Sequence, residues 1–566
     1  MIRKLYLPLL GLVFLSANAF GQGFPEGGQV HGDFVFDAQF YQTDDKLGIT
    51  DSTLDGNIFG MNAYGNIIYT NGDFSAGLRY EAYLPPLSGF DKRYEGHGVP
   101  YWFARYDHEK VDITVGHFYE QFGNGLVLRS YQEWALGFDN NINGVRLKVQ
   151  PFDGVYIKAL AGTQRFFWDP FEDNNRAIIK GLDGEIYLND LIKKWRTSRT
   201  RIIIGGSFVS KYQQVSPRSF LRDTVRYEYK IPDNVAAYAG RINLLHGGFN
   251  LNAEYARKIN DPSSLNNFIY KDGEALYTSL SYSTSGFGII LTGKRIDNMS
   301  FKSDIYDDSY ASDINFLPPL GTQYVYSLAT IYPYATQPNG EIGIRGKIYY
   351  TIPKKTWLGG KYGTKFEFSY SKINSLDKER VEPNIPIDST GTLGYKSNFT
   401  NFGDVEYYRD FAVKINKKIN PKWKFILEYI NLKYNIDVIE GHPGEPMVKA
   451  HIGIADVTYK INRKNAIRFE YQQLLSEQDR GDWLMAMLEY SISPRWFFSI
   501  MDEYNYGNPN EEMQLHYYTA SLAYVKDATR VSLSYGRQRE GLICVGGVCR
   551  MVPASNGLSI SITSSF

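Results

Sequence analysis

Two cysteines close to the C-terminal end of the chain are the residues best placed to form a covalent bond. Cys544 and Cys549 bracket a four-residue stretch with two adjacent glycines, which suit the positive φ angles of a two-residue hairpin turn. In such a hairpin the cysteines form a non-hydrogen-bonded pair with Cα atoms about 4.5 Å apart. This spacing predicts a disulfide at a loop tip, with free thiols as the alternative. Metal binding would need more ligands, and no His adjoins the pair.

A second group of candidate residues lies in an apolar stretch, residues 118–142, that also carries charges. The charged candidates, including one just beyond the stretch, are Glu120, Arg129, Glu133, Asp139 and Arg146. Two interpretations are open. The stretch is either an inward loop whose charges line a constriction, or a plug whose charges pair with the surrounding wall, since buried charges need partners. Its part from Ser130 to Leu136 favours a short helical turn.

Signatures of enzymes and of nucleic-acid binding are missing. The sequence has no Gly-x-Ser-x-Gly elbow, no phosphate loop and no His-Glu-x-x-His helix, and its eight His residues are scattered. The 61 basic residues balance 61 acidic ones, so the basic footprint of a nucleic-acid binder is absent. We therefore expect no catalytic residues, no cofactor, no metal site and no nucleic-acid partner.

The N-terminal residues predict export. Arg3 and Lys4 precede an apolar run from Leu5 to Leu15, and small residues suited to signal peptidase follow. We predict a signal peptide over residues 1–21, with cleavage after Ala19 as the alternative. Beyond it no apolar run of about 18 residues appears, so no membrane-spanning helix is expected.

The rest of the chain alternates apolar and polar residues with the period of a β-strand. Phe249, Leu251, Ala253 and Tyr255, for example, are separated by Asn250, Asn252 and Glu254. A soluble β-sandwich gives the same pattern. The continuous alternation, the 15% of aromatic residues and the mixture of short turns and long loops favour an all-β, antiparallel transmembrane barrel instead. We predict about 24 strands (22–26), in one domain over residues 22–566.

A barrel of this width needs its interior filled. Strand-like alternation starts near residue 30, which leaves no room for a globular N-terminal plug, so we expect long outer loops to fold into the lumen. The candidates are 118–142 and 297–339; the second is also long and apolar, and such a segment is poorly suited to lie bare in water.

The last strand carries an expected assembly signal. One face of it ends in an aromatic residue and consists of Leu558, Ile560, Ile562 and Phe566. This pattern resembles the C-terminal strand recognised by the outer-membrane barrel assembly machinery.

Three motifs resemble a family of large outer-membrane β-barrels of Bacteroidota whose function is unknown. They are Tyr119-Glu120-Gln121-Phe122-Gly123-Asn124-Gly125-Leu126, Tyr332-Pro333-Tyr334-Ala335-Thr336-Gln337 and Leu358-Gly359-Gly360-Lys361-Tyr362-Gly363-Thr364. The resemblance implies a barrel in the outer membrane and brings no catalytic residues.

These observations leave three functions open. We expect porin-like passage of small solutes across the outer membrane, in contact with lipids and lipopolysaccharide. The alternative is a closed structural or assembly barrel that binds protein partners in an outer-membrane complex. A barrel-embedded hydrolase is the least favoured, since no catalytic signature supports it.

Overall fold

The structure of the protein is a computed structural model. It describes residues 27–54, 56, 58–168, 177–216, 218–222, 224–546 and 548–566. The predicted signal peptide, residues 1–21, lies outside the described residues. Nearly all regular structure in the described part is β-strand.

One antiparallel sheet of 24 strands forms the body of the molecule. The first twelve strands are Gln29–Tyr41, Phe59–Asn71, Phe74–Tyr83, Gly96–His108, Val111–Phe118, Ile142–Phe152, Val155–Gln164, Ile178–Tyr187, Thr200–Tyr212, Asn234–His246, Phe249–Lys258 and Gly273–Thr284. The other twelve are Phe287–Asp297, Gly340–Ile352, Thr364–Glu379, Lys396–Lys418, Trp423–Asn435, Met447–Lys460, Asn465–Leu475, Trp483–Ile492, Trp496–Tyr504, His516–Lys526, Thr529–Gln538 and Ser555–Ser565.

The sheet closes on itself. The first strand pairs with the last in a register that runs from Asp33 opposite Ser565 to Tyr41 opposite Gly557. The other strands pair with their neighbours along the chain, and Phe287–Asp297 pairs directly with Gly340–Ile352 across the long excursion 297–339. The predicted fold, an antiparallel barrel of about 24 strands with long loops folded into its lumen, is confirmed.

The alternating sequence gives the barrel wall two different faces. Leu182 and Phe208 are 52% and 47% exposed on the outer face. Their chain neighbours Asp183 and Ser207 are buried on the lumen face, where the Ser207 hydroxyl donates to the Asp183 carboxylate at 2.6 Å. Successive strand residues point to opposite faces. An outer surface covered by apolar side chains and a polar inner surface are typical of a barrel surrounded by lipid.

The two ends of the barrel differ in their connections. At one end of the barrel, which also holds both termini of the described barrel, short turns join the strands; we call it the short-turn end. At the opposite end long excursions join the strands, and we call it the long-loop end. Two aromatic pairs lie on the outer face near the short-turn end: Trp423 is 4.4 Å from Tyr459, and Trp496 is 4.6 Å from Tyr524. Such pairs suit the membrane–water interface.

Helices and small hairpins are confined to the connections. The four-residue α-helices in the described part are Leu188–Leu191 and Ile436–Ile439. The 3-10 turns are Asp45–Leu47, Lys92–Tyr94, Trp134–Leu136, Lys193–Trp195, Ser264–Asn266, Tyr310–Ser312, Leu328–Thr330 and Glu511–Met513. The hairpins pair Gln132–Glu133 with Phe138–Asp139, Ser219–Arg222 with Val225–Glu228, and Gly541–Val545 with Val548–Val552. No helix among the described residues is long and apolar enough to cross a membrane.

Candidate functional site in the barrel lumen

The first inward segment, residues 118–142, packs against the lumen wall. Four of its apolar side chains are at most 1% exposed: Phe122, Leu126, Val127 and Leu128. They share one apolar cluster with inward-facing wall residues such as Leu160, Ile179 and Val209. Burial of this apolar surface holds the segment inside the barrel.

A glycine lets the tip of this segment approach the wall closely. Gly123 has φ +52°, and a Cβ there would lie 2.4 Å from a carboxylate oxygen of Glu254. The same carboxylate accepts from the backbone N–H of Asn124 at 2.6 Å and from its side-chain amide at 2.8 Å. The tip is therefore fixed to the wall by hydrogen bonds to a buried carboxylate.

The second inward segment, residues 297–339, is held in place by tyrosines that donate to carboxylates of the wall and, for Tyr332, of the loop between Asn465–Leu475 and Trp483–Ile492. Tyr324 donates to Asp410 at 2.6 Å, Tyr326 to Asp456 at 3.3 Å, Tyr332 to Asp479 at 2.9 Å, and Tyr334 to Glu341. Leu320 and Leu328 of the same segment are fully buried in a cluster with residues of the wall strands between 396 and 485.

The two inward segments also bind each other. The backbone N–H of Arg129 donates to the Ile314 carbonyl, and that of Phe316 donates to the Gly125 carbonyl, both at 2.9 Å. The side-chain amide of Asn315 donates to the Leu126 carbonyl at 3.1 Å. The segments therefore form one continuous plug.

Asp139 belongs to a buried network of four charges. It contacts Arg79, and its Oδ2 lies 2.7 Å from Arg165. Glu81 completes the network, 2.6 Å from Arg79 and 2.9 Å from Arg165, and the four side chains are at most 4% exposed. Tyr119 also donates to Asp139 at 2.9 Å. Although burial alone would raise the pKa of the Asp139 carboxyl, the two guanidinium groups hold it below its usual range.

Glu120 and Arg146 are also buried and paired. The Glu120 carboxylate lies 2.8 Å from Lys148, 3.1 Å from Lys158 and 3.6 Å from Arg146. Arg146 also donates to Thr114 at 2.9 Å. Burial opposes ionisation of Glu120, but Lys158 and Lys148 outweigh it and hold the pKa of Glu120 below its usual range.

Arg129 and Glu133 do not join these ion pairs. The Arg129 guanidinium stacks 4.3 Å from the Tyr131 ring and 4.0 Å from that of Phe316, and burial lowers its pKa. Glu133 accepts from the backbone N–H of Ala135 at 3.2 Å. Glu120, Asp139 and Arg146 are thus paired, as the plug interpretation expects, whereas Arg129 and Glu133 form no ion pair among the described residues.

The expected helical turn over Ser130 to Leu136 is shorter in the structure. A 3-10 turn spans Trp134–Leu136 and ends at Gly137, which has φ +64°. Residues before the turn pair with residues after it as a small hairpin, and this ladder competes with a longer helix.

The structure joins Cys544 and Cys549 by a disulfide, with Cα atoms 4.0 Å apart. They are opposite residues of the hairpin Gly541–Val545 and Val548–Val552, in which Val545 faces Val548. The hairpin packs on the plug: Cys549 is 8% exposed within the apolar cluster of the second inward segment.

The C-terminal strand closes the barrel. Ile560 lies opposite Ala38 and Ile562 opposite Phe36 of the first strand, while Leu558 lies opposite Phe40. The backbone of Phe566 exchanges two hydrogen bonds of 3.0 Å with Gly32, and its side chain is 57% exposed.

A cavity of about 460 Å³ separates the plug from one side of the wall. Second-segment residues, including Tyr324 and Thr330, line one side of it, and Glu503 and Thr519 of the wall line the other. The disulfide hairpin contributes Cys544 and lies over the cavity at the long-loop end.

The wall that continues from the cavity toward the short-turn end carries small polar side chains. On its lumen face, half-buried, are Ser499, Ser521, Ser532, Ser534, Ser559 and Ser561. The hydroxyl oxygens of Ser499 and Ser521 are 2.6 Å apart. Small side chains of this kind take up little of the lumen volume.

Sequence reasoning missed Arg79, Glu81 and Arg165, the partners of Asp139. Arg79 and Glu81 are two residues apart on the polar face of one strand, which marks them as lumen-facing. Their contact with Arg165 depends on a closed barrel and an inward loop, so no local spacing indicates it.

Among the described residues, no group of three or more His, Cys, Asp or Glu is placed to hold a metal ion.

The fold and the lumen together define a transmembrane β-barrel that is closed in part by its own inward segments. The chain belongs to the Family of unknown function (DUF6029), whose sequence model matches residues 2–566. Its assignment to Bacteroidota stays a prediction.

Comparison with known proteins adds similarities of fold. No match to a curated protein was found. The chain is similar to the siderophore receptor PirA from Pseudomonas aeruginosa, at 11% identity and a TM-score of 0.41, over 96% of this chain and 81% of that one. It is also similar to the outer membrane protein opdK from the same organism, at 11% identity and a TM-score of 0.35, over 84% of this chain and all of that one.

Proposed function

We propose that the protein is an outer-membrane channel for porin-like passage of small solutes, with its plug leaving a passage on one side of the lumen. The cavity of about 460 Å³ between the second inward segment and the wall carries this proposal. The serine-lined wall continues from it toward the short-turn end. Polar, partly accessible walls suit an aqueous path.

The proposal includes the location of the barrel. The signal peptide over residues 1–21 would export the chain, and the last strand, with Leu558, Ile560, Ile562 and Phe566, would engage the barrel assembly machinery. Outer-membrane barrels have short turns in the periplasm and long loops outside, so the short-turn end would face the periplasm. Lipids and lipopolysaccharide would surround the apolar outer face. No enzymatic chemistry is assigned to the lumen residues.

Conductance in planar bilayers tests the proposal. Thr519→Trp places an indole in the cavity, and we expect it to reduce the conductance of the purified protein at least about twofold, because a filled passage carries less current. Leu522→Trp is the matched control: it adds the same side chain to the same strand on the lipid-facing side, where it leaves the lumen unchanged. Equal conductance in the two variants would contradict the proposed path.

A closed structural barrel that binds protein partners is the second candidate. The buried apolar cores of both inward segments and the paired charges around Asp139 and Glu120 favour it, since each contact stabilises a closed lumen. This candidate predicts no measurable conductance for the wild-type protein, and none for either tryptophan variant.

A further inference from the structure

Cations dominate one arc of the rim at the short-turn end. Five neighbouring turns form this arc, from the turn after Gly340–Ile352 to the turn before Thr529–Gln538. Thirteen exposed basic residues lie in these turns or next to them. We call this set the basic rim arc: Lys354, Lys355, Lys361, Lys365, Lys418, Lys422, Lys424, Lys460, Arg463, Lys464, Arg495, Lys526 and Arg530. Asp527 is the acidic residue of these turns. The balanced charge of the whole chain therefore conceals a strongly positive surface.

The cations of the basic rim arc have no acidic partners in the described part of the chain. None of them lies within 4.0 Å of a carboxylate oxygen there, although lysines and arginines of the lumen are commonly paired, as Glu120 and Asp139 illustrate. Clustered unpaired cations repel one another and produce a local positive potential. An anionic surface bound there would relieve that repulsion.

The same arc exposes an unusually large apolar side chain. Trp357 is 92% exposed, and the neighbouring Leu358 and Ile419 are 50% and 54% exposed. Tryptophan and arginine are enriched among the side chains that contribute most to protein–protein binding, whereas lysine is not. Here the indole would supply the apolar contact, and the lysines would supply charge complementarity to an acidic partner. The combination favours a docking surface over a merely solvated turn.

The turn that carries Trp357 has a well-defined internal structure. The backbone N–H of Gly360 donates to the Thr356 carbonyl at 2.8 Å, and that of Lys355 donates to the Gly360 carbonyl at 2.6 Å. The Leu358 carbonyl accepts from Lys417 and from Thr364, each at 2.6 Å. A bound partner would therefore meet a preformed turn and lose little entropy in ordering it.

Part of the arc faces the mouth of the barrel instead of the surrounding lipid. Trp423 and Tyr459 stack on the outer face, so their strand neighbours Lys424 and Lys460 lie on the lumen side. By the same alternation, Arg530 lies on the lumen side, because its neighbour Val531 points outward. These positions favour an occupant in the aqueous compartment over lipid headgroups.

We propose that the basic rim arc and Trp357 form a docking site for an acidic protein surface with an apolar notch that takes the indole. In the proposed orientation this partner is periplasmic. The inference does not depend on solute passage, because it concerns the rim and not the lumen. It applies equally to an open and to a closed barrel.

The test measures peptide binding to the full chain in phosphatidylcholine nanodiscs. The probes are two fluorescently labelled peptides, one of glutamate alone and one in which leucines interrupt the glutamates. The first variant carries Lys354→Gln, Lys355→Gln, Lys361→Gln and Lys418→Gln. Its matched control carries Lys193→Gln, Lys194→Gln, Arg196→Gln and Arg199→Gln, which removes four cations from another turn at the same end. A third variant is Trp357→Ala, and gel mobility before and after boiling checks that each variant folds.

We expect the first variant to weaken binding of both peptides about tenfold and the control less than about twofold. Trp357→Ala should weaken binding of the leucine-containing peptide alone. Equal losses in the first variant and its control would overturn the proposal, since general electrostatic attraction would then suffice. Stronger binding to phosphatidylglycerol vesicles than to either peptide would also overturn it, because the occupant would then be a membrane surface.

Discussion

At the scale of single residues, the lumen depends on charges that are buried together. Asp139 contacts both Arg79 and Arg165. In the described network, Glu81 is the one further carboxylate that pairs with these two cations. Asp139→Asn leaves the pair of guanidinium groups under-compensated in a buried setting. We expect it to lower the free energy of unfolding by about 3–5 kcal/mol, as measured by urea unfolding in detergent.

A neighbouring carboxylate in the same segment provides the control for Asp139. Glu133 makes one hydrogen bond to a backbone N–H and no ion pair among the described residues. Glu133→Gln should change the free energy of unfolding by less than about 0.5–1 kcal/mol. If both variants lose the same stability, the four-charge network has no special role.

Glu120 gives the plug a dependence on pH. Its pKa is held below the ordinary value of 4.5, with burial opposing and Lys158 and Lys148 favouring the charged form. The stabilisation is fully present above that ordinary value and is lost as the pH falls through the lower folded-state pKa. Wild type should therefore be more stable than Glu120→Gln at about pH 7, and the difference should shrink below about pH 4.5. Urea unfolding of both proteins across this range measures it, and a difference that grows on acidification would reverse the assigned sign.

At the scale of elements, the first inward segment occupies lumen volume that the 24 strands do not need for their own pairing. Deleting Gly123 to Asp139 removes the tip bound to Glu254 and the buried side chains around Leu126. We expect higher conductance in planar bilayers, because the widened lumen admits more water and ions. The control is the shift in gel mobility on boiling, which must persist if the barrel still forms. Unchanged conductance in a folded barrel would show that this segment does not restrict the path.

The last strand is the element expected to act during assembly. Phe566 is 57% exposed and contributes backbone hydrogen bonds to Gly32, so its side chain adds little to the finished barrel. We expect Phe566→Ala to lower the amount of protein in the outer membrane while the barrel that does form keeps its stability. Quantitative immunoblotting of membrane fractions measures this, with Ser565→Ala as the matched control. Equal amounts of the two variants would show that the terminal aromatic ring is incidental.

Sequence reasoning predicted the elements far better than the contacts between them. Strands such as Phe249–Lys258 can be predicted from the sequence, because side chains alternate between the two faces of the wall. One face meets lipid and the other the lumen, so apolar and polar residues alternate along the chain. The cavity near Thr519 and the pairing of Arg165 with Glu81 are different: they join residues distant in the chain, and their geometry is set by how the inward segments pack. Local spacing carries no information on such contacts, so it indicated the presence of a plug without locating the space beside it.

At the scale of the whole molecule, width explains why so much of the chain lies inside the barrel. With strands about 4.8 Å apart and tilted by about 40°, 24 strands give a barrel about 48 Å across between backbones. An empty lumen of that size would be a wide aqueous channel. The two hydrogen-bonded inward segments fill part of that width, and in the proposed passage any selectivity would arise beside the serine-bearing wall.

Closure of the sheet predicts the behaviour of the intact protein on detergent gels. Pairing from Asp33–Ser565 to Tyr41–Gly557 leaves no free edge in the barrel, so detergent cannot unfold it strand by strand. Opening requires the loss of a whole strand pair together with the plug contacts, which is a cooperative and slow event at room temperature. Unboiled protein should therefore migrate as a compact species. Boiled protein should migrate as the unfolded chain, slightly below the 64.6 kDa of the full sequence because the predicted signal peptide would be removed. Protein first denatured in urea and left unboiled is the control, and it should migrate with the boiled sample. Identical migration of boiled and unboiled native protein, together with recovery from the soluble periplasmic fraction, would contradict a lipid-embedded barrel.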